Sequence, residues 1–181
     1  MRPALELTSV PTWATGAVRP DADLSGRYWS VVAVGAEAED IAVVWTAQIA
    51  AHAPGADVRV HRVTDDDAAL AALAADLADA VVGWRLMIAG PAHACLHLLA
   101  RALRHGVDDD EIIIASTAVA TRDVRCARCS TVTRAEVELG DALPCAGCGC
   151  NIIVHHHVSR YLGAHLGYLA DLAHPPPPDV R

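Results

Sequence analysis

The chain has 181 residues, 53% of them apolar, which is room for a core serving one domain or a domain with a small appendage. Its 22 acidic residues outnumber 14 basic ones and leave a net charge of -8, which argues against the phosphate attraction on which nucleic-acid binding rests. Every basic residue is Arg, so a Schiff-base lysine, a P-loop lysine and a kinase-type strand lysine are excluded by composition.

Residues 1–26 carry Pro3, Pro11 and Pro20 with no helical or strand period, and they read as an arm lying on the surface or on a partner. They contain no apolar h-region of a signal peptide. No run of about 18 uncharged apolar residues follows, so a cytoplasmic protein without a membrane partner is expected. In that compartment six Cys point to metal ligands or redox thiols and not to disulfides.

From Tyr28 the pattern alternates. Strand-like runs at Tyr28–Val34, Val58–Val63, Trp84–Ala89 and Glu111–Ala115 are separated by helical periods over about Glu37–His52, Asp66–Val82 and the segment after Gly90-Pro91. Val58–Val63 alternates apolar and polar residues as an edge strand does. The expected fold class is therefore α/β: residues 27–116 form a small parallel sheet flanked by helices, because parallel strands need crossovers.

At about Ser116 the character changes to short β-like runs punctuated by Cys pairs. Cys126-Ala-Arg-Cys129 and Cys145-Ala-Gly-Cys148 are each C-x2-C, and 15 residues separate them, the spacing of two turns sharing one tetrahedral ion. Residues 117–173 are read as this four-cysteine metal ribbon plus a terminal helix, and residues 174–181, HPPPPDVR, as a disordered Pro-rich tail. The helix is expected to open at Ser159, with Leu162, Leu166 and Leu169 inward and Gly163 and Gly167 admitting a close backbone.

The metal ligands are assigned to Cys126, Cys129, Cys145 and Cys148. Zinc is favoured, since a structural site needs nothing further, but four thiolates suit iron equally, and a one-iron site would make the chain a rubredoxin-like electron carrier. Arg122, Arg125, Arg128 and Arg134 are close enough in sequence to offset the anionic sulfurs or bond them. Cys150 is the spare, a substitute ligand or a small core residue. Pro144-Cys145-Ala-Gly-Cys148 also matches half of the zinc-deaminase signature, but His93-Ala94-Cys95 lacks the catalytic Glu, and four thiolates leave no place for water. Neither a catalytic residue nor a nucleotide-binding residue is assigned. His155, His156 and His157 follow the apolar run Asn151–Val154, so on a regular strand His155 and His157 share one face and His156 takes the other. A polar or partner-facing strand end is the expected role, with a second metal site as the alternative, since consecutive strand residues do not all converge on one ion.

The segment Leu86–Ile114 resembles the closing βαβ of the NAD(P)-binding domain of ferredoxin reductases, through Gly90-Pro91, Gly106 and the exit strand Glu111–Ile114. Ala89 stands where that family has Cys. The glycine-rich phosphate turn has no counterpart: Gly35 is followed by Glu37, Glu39 and Asp40, carboxylates that repel a diphosphate at a helix N-terminus. The resemblance thus implies a reductase-like fold without its nucleotide; a retained NAD(P) site is the alternative.

The whole order, paired C-x2-C motifs, an apolar strand, His157-Val-Ser159-Arg160 and Gly163-Ala-His165-Leu-Gly167, resembles the DmmA-like family, named for a subunit of the multicomponent dimethylamine monooxygenase. The likeness spans roughly residues 27–172. It implies an accessory, non-catalytic subunit of an oxidative N-demethylation system, with a docking or assembly role beside a haem-containing oxygenase subunit and a flavin/iron-sulfur reductase subunit. No haem or flavin fingerprint is visible in this chain, and the Cys spacing is not that of a [2Fe-2S] ferredoxin.

Overall fold

The structure, a computed structural model, describes residues 8–170. They fall into two compact units: residues 11–119 with 160–163, and residues 8–10, 120–159 and 164–170.

The first unit is built on four parallel strands, β1 (Tyr28–Val34), β2 (Asp57–Val63), β3 (Trp84–Gly90) and β4 (Ile112–Ser116), in the order β2-β1-β3-β4. Helices α1 (Glu39–His52), α2 (Asp66–Asp79) and α3 (Ala92–Arg104) make the crossovers. Strand β1 is buried at every residue after Tyr28, as a parallel strand covered on both faces must be. Trp29, Val31 and Ala33 meet Ile41, Trp45 and Ile49 of α1, while Val32 and Val34 share a core with Leu73 of α2 and Leu98 of α3. Asp65 starts α2 by accepting the Ala68 N–H at 2.9 Å, which satisfies one of the amides a helix N-terminus leaves unpaired. The predicted α/β architecture with a parallel sheet is present, and β2 lies at an edge.

Arm residues from Pro11 onward pack on this unit itself. Trp13 joins the core shared by α2 and α3, Val18 bridges Ser116 at the end of β4, and Ala22 and Leu24 pack on the face that carries α1. Two indole N–H groups fix the path: Trp45 donates to the Pro20 carbonyl at 2.9 Å and Trp29 to the Asp23 carbonyl at 2.7 Å. The face with a single helix is thereby covered by irregular chain. Its lack of period in sequence is consistent with polar backbone groups bonded to side chains instead of to a ladder.

The second unit is a five-stranded sheet of β5 (Thr121–Cys126), β6 (Val132–Glu136), β7 (Ala142–Pro144), β8 (Asn151–Ser159) and β9 (Ala164–Leu169), ordered β6-β5-β9-β8-β7. Strand β9 runs parallel to β5 and antiparallel to β8. This corrects the expected helix from Ser159: residues 160–163 form a turn, and 164–169 are the central strand of the sheet. Gly163 has φ +70, a left-handed conformation that ends a helix and turns the chain back. At Gly167 a β-carbon would lie 2.9 Å from both Ile152 Cδ1 and Val124 Cγ1, so the glycine answers to the neighbouring strands and not to a second helix. The Leu stripe at helical spacing marks no helix here: Leu162 is exposed in the turn, and Leu166 and Leu169 are half-buried on β9. The Pro-rich tail, residues 174–181, and the first seven residues of the arm lie outside the described residues.

Candidate metal centre

Each cysteine pair sits where a strand ends in a tight turn. Cys126 closes β5 and Cys129 follows three residues on; Cys145 comes directly after β7 and Cys148 precedes β8. The two turns have the same hydrogen bonds. In the first, Ser130 N–H donates to the Cys126 carbonyl at 2.9 Å and Cys126 N–H to the Thr131 carbonyl at 2.9 Å. In the second, Gly149 N–H donates to the Cys145 carbonyl and Cys145 N–H to the Cys150 carbonyl, both at 2.9 Å. The residue after each second cysteine is left-handed, Ser130 at φ 65 and Gly149 at φ 71. Ser130 is the one non-Gly residue with positive φ among the described residues, and its strain is what the repeated turn demands.

The turns bring the four sulfurs together. Cys129 Sγ is 3.5 Å from Cys145 Sγ, Cys126 Sγ is 3.9 Å from Cys148 Sγ, and all four lie within 4.8 Å of one another. A tetrahedron with zinc–sulfur bonds of about 2.3 Å has sulfur–sulfur edges of roughly 3.8 Å, so the donor set fits a four-coordinate ion without rearrangement of the turns. Cys126 and Cys145 are buried at the sheet, Cys148 is half-buried and Cys129 is exposed. The cluster therefore has one wall of protein and one sulfur facing solvent.

Polar groups favour thiolate here. The Cys129 thiol is pulled down to about 6 by the Thr131 hydroxyl and then by the Thr131 amide. Cys145 is lowered by the amides of Cys148 and Gly147, the latter donating to Cys145 Sγ at 3.4 Å. For Cys148, the Cys150 amide favours the thiolate, but desolvation and the neighbouring sulfurs prevail and push the group up.

Of the arginines expected near the sulfurs, Arg128 is there: its Nη1 donates to Cys150 Sγ at 2.7 Å, and its charge is felt by Cys148 and Cys126. Arg134 instead forms a two-pronged pair with the buried Asp123, at 2.9 and 2.8 Å. Arg122 is buried and donates to the carbonyls of Val137 and Ala120. Cys150 is half-buried and falls outside the four-sulfur group, at the position of its turn that Thr131 occupies in the other. Thr131 was not singled out in the sequence. The signal for it is the second residue after the second cysteine, which recurs in both turns.

Cys95 is remote from this chemistry in kind. It is fully buried on α3, its thiol faces the Gly90 and Ala115 carbonyls at 3.4 and 3.7 Å, and burial pushes it far above the usual thiol range. Next to it, the first N–H of α3, on Ala92, already donates to the Ala118 carbonyl at 2.8 Å. The turn after β1 has Gly35 followed by Glu37, with Glu39 and Asp40 in the first turn of α1.

Two knuckles presenting a closed set of four sulfurs on a mostly antiparallel sheet, after a parallel α/β unit, define an α/β protein with a four-cysteine ribbon whose sulfurs could hold a metal ion. Residues 123–168 match the family model described as "Dimethylamine monooxygenase subunit DmmA-like, C-terminal domain". The chain is also 40% identical over 105 residues to the "Heme-dependent oxidative N-demethylase delta subunit" of Ectopseudomonas mendocina (strain ymp), an alignment covering 57% of this chain and 58% of that protein. Together these findings support the DmmA-like family. The chain thus spans somewhat over half the length of the curated relative it matches. No solved structure matches it. Among the described residues no helix is long and apolar enough to cross a membrane.

Proposed function

We propose that this chain is an accessory, non-catalytic subunit of a cytoplasmic, multicomponent oxidative N-demethylase of the dimethylamine monooxygenase type. In this reading a separate haem subunit activates oxygen, a separate flavin/iron-sulfur subunit delivers reducing equivalents, and this chain docks or assembles them. Its four-cysteine site holds a structural ion, with zinc favoured. The observation that carries the reading is the closed donor set inside the segment that matches the DmmA-like domain: four protein sulfurs complete a tetrahedron and leave no position for a substrate. The ion's contribution is to fix the turns. Apparent binding of roughly 10 to 16 kcal/mol is enough to hold a small sheet that buries little surface.

No nucleotide belongs to this reading. The α3 amide that would meet a phosphate is already bonded to the Ala118 carbonyl, and α1 opens with carboxylates.

One observation favours a second reading, a rubredoxin-like one-iron carrier: Cys129 is exposed, and amide N–H groups point at the sulfurs, features that give electrons a route and set a potential. The test is to express the chain with the other subunits of its complex, purify gently, and measure metal content and the visible spectrum of the separated chain. A colourless chain with one zinc, recovered with a haem protein, is expected. A coloured one-iron chain moves the function to electron transfer. Persistent recovery alone under gentle conditions overturns the subunit reading, and saturable heat on adding NADPH overturns the exclusion of nucleotide.

A further inference from the structure

The three consecutive histidines do not lie on a regular strand. Pairing of β8 with β9 runs Val154 with Gly167 and resumes Val158 with His165, so His155, His156 and His157 together face the single residue Leu166. Such a bulge bends the strand and re-aims its side chains, and it can draw together residues i and i+2 that a flat strand holds about 6.6 Å apart along one face.

Here it brings the His155 and His157 rings to 4.7 Å between centres with a 42° tilt. The edge-on Tyr168 ring, 4.4 Å from His155, flanks the pair on β9. His156 stands apart, 6.2 Å from His155 and nearly perpendicular to it. An imidazole nitrogen binds a zinc-sized ion at about 2.0–2.1 Å, which places each ring centre roughly 3.2 Å from the metal and two adjacent ligands about 4.5–5.2 Å apart. The observed separation falls in that window.

Two further observations point to an ion. His155 Nδ1 is buried and has no hydrogen-bond partner. His157 Nδ1 lies 3.1 Å from Ser9 Oγ, which is itself held by the Val158 N–H at 3.0 Å. Placing the proton on Nδ1 of His157, toward the serine oxygen, leaves Nε2 as a bare donor, the way outer partners orient metal-binding imidazoles.

We propose that His155 and His157 form a second metal site, separate in its ligands from the four cysteines, that takes a divalent ion of the copper, nickel or zinc class with solvent completing its shell. Imidazole donors select that class over magnesium or calcium. Burial, and then the charges of His157 and His156, lower the His155 pKa, which keeps the ring in its neutral, ligating form.

The test uses the full chain loaded with zinc at the cysteines, then dialysed against increasing Ni2+. One nickel per chain beyond the retained zinc is expected, with His155→Gln and His157→Gln each weakening uptake at least tenfold and His156→Gln leaving it within twofold. No nickel uptake in the wild type overturns the proposal, as does uptake that survives both substitutions or depends equally on His156. Should either variant lose its zinc, paramagnetic broadening of amide signals in the unaltered chain decides. Broadening centred on His155, His157 and Tyr168 supports the site; broadening centred on the cysteine turns or elsewhere overturns it.

Discussion

Gly147 and Thr131 are pressed together where the two cysteine turns meet: a β-carbon on Gly147 would stand 2.8 Å from Thr131 Cβ and closer still to its hydroxyl. The hydroxyl is not free to move aside, because it is also the group that bonds the Cys129 sulfur. The corresponding position of the first turn holds Arg128, whose side chain reaches out to Cys150. One turn carries the bulk so that the other can approach.

Gly147→Ala is therefore expected to spread the turns and weaken metal binding by tenfold or more, about 1.4 kcal/mol or greater, read by competition with a chromophoric chelator. Ala146→Gly serves as the control for backbone loosening and should change affinity less. Equal affinity of Gly147→Ala and the unaltered chain would contradict the close approach.

The metal-stripped chain should alkylate first at Cys129. Its thiol titrates at about 6, so its rate with iodoacetamide rises with pH through that value and levels off above it, while Cys95, buried and raised, stays unmodified until the fold opens. Peptide mapping after brief alkylation at pH 7 checks the order. Loading the metal first should protect Cys129 despite its exposure.

The Asp123–Arg134 pair predicts an asymmetry. Asp123 is 2% exposed and the Arg134 side chain 45%. Removing the acid in Asp123→Ala lets the guanidinium turn to water and should cost on the order of 1–3 kcal/mol. Arg134→Ala removes the two-pronged donor from a buried carboxylate and should cost more, toward the upper end of that range at about 3 kcal/mol. Denaturant midpoints of the two variants decide the order, and a larger loss for Asp123→Ala would refute it.

His165 gives a pH signature. It is 1% exposed, and burial followed by the Arg122 charge holds its pKa down at about 4, below the ordinary 6.5. The unfolded chain takes up this proton first, so stability is complete above about 6.5 and declines as the pH falls toward 4, by an amount on the order of 3 kcal/mol. Thiolate protonation acts in the same direction, so the quantity to measure is the difference between the unaltered chain and His165→Gln across pH 7 to 4. The variant should show the shallower decline; parallel curves would remove His165 from the account.

The order and kind of the elements up to Ser116 can be read along the chain, because strands buried on both faces and helices with an apolar side leave different periods. The sequence by itself also marked the four cysteines whose sulfurs converge, since C-x2-C closes a turn whose hydrogen bonds are local. Non-local pairing decided the rest. Residues 164–169 carry a Leu spacing compatible with a helix, and their insertion between β5 and β8, where Gly167 meets Val124 and Ile152, makes them a strand. The bulge that gathers His155 and His157 is a mismatch of count between two strands, a property no single strand possesses. Arg134 could be placed near the sulfurs by sequence distance alone, but its antiparallel register opposite Asp123 sends it to a carboxylate instead. Periodicity and turn chemistry are written within a few residues; register, burial and the partner of a charge exist only when distant segments meet.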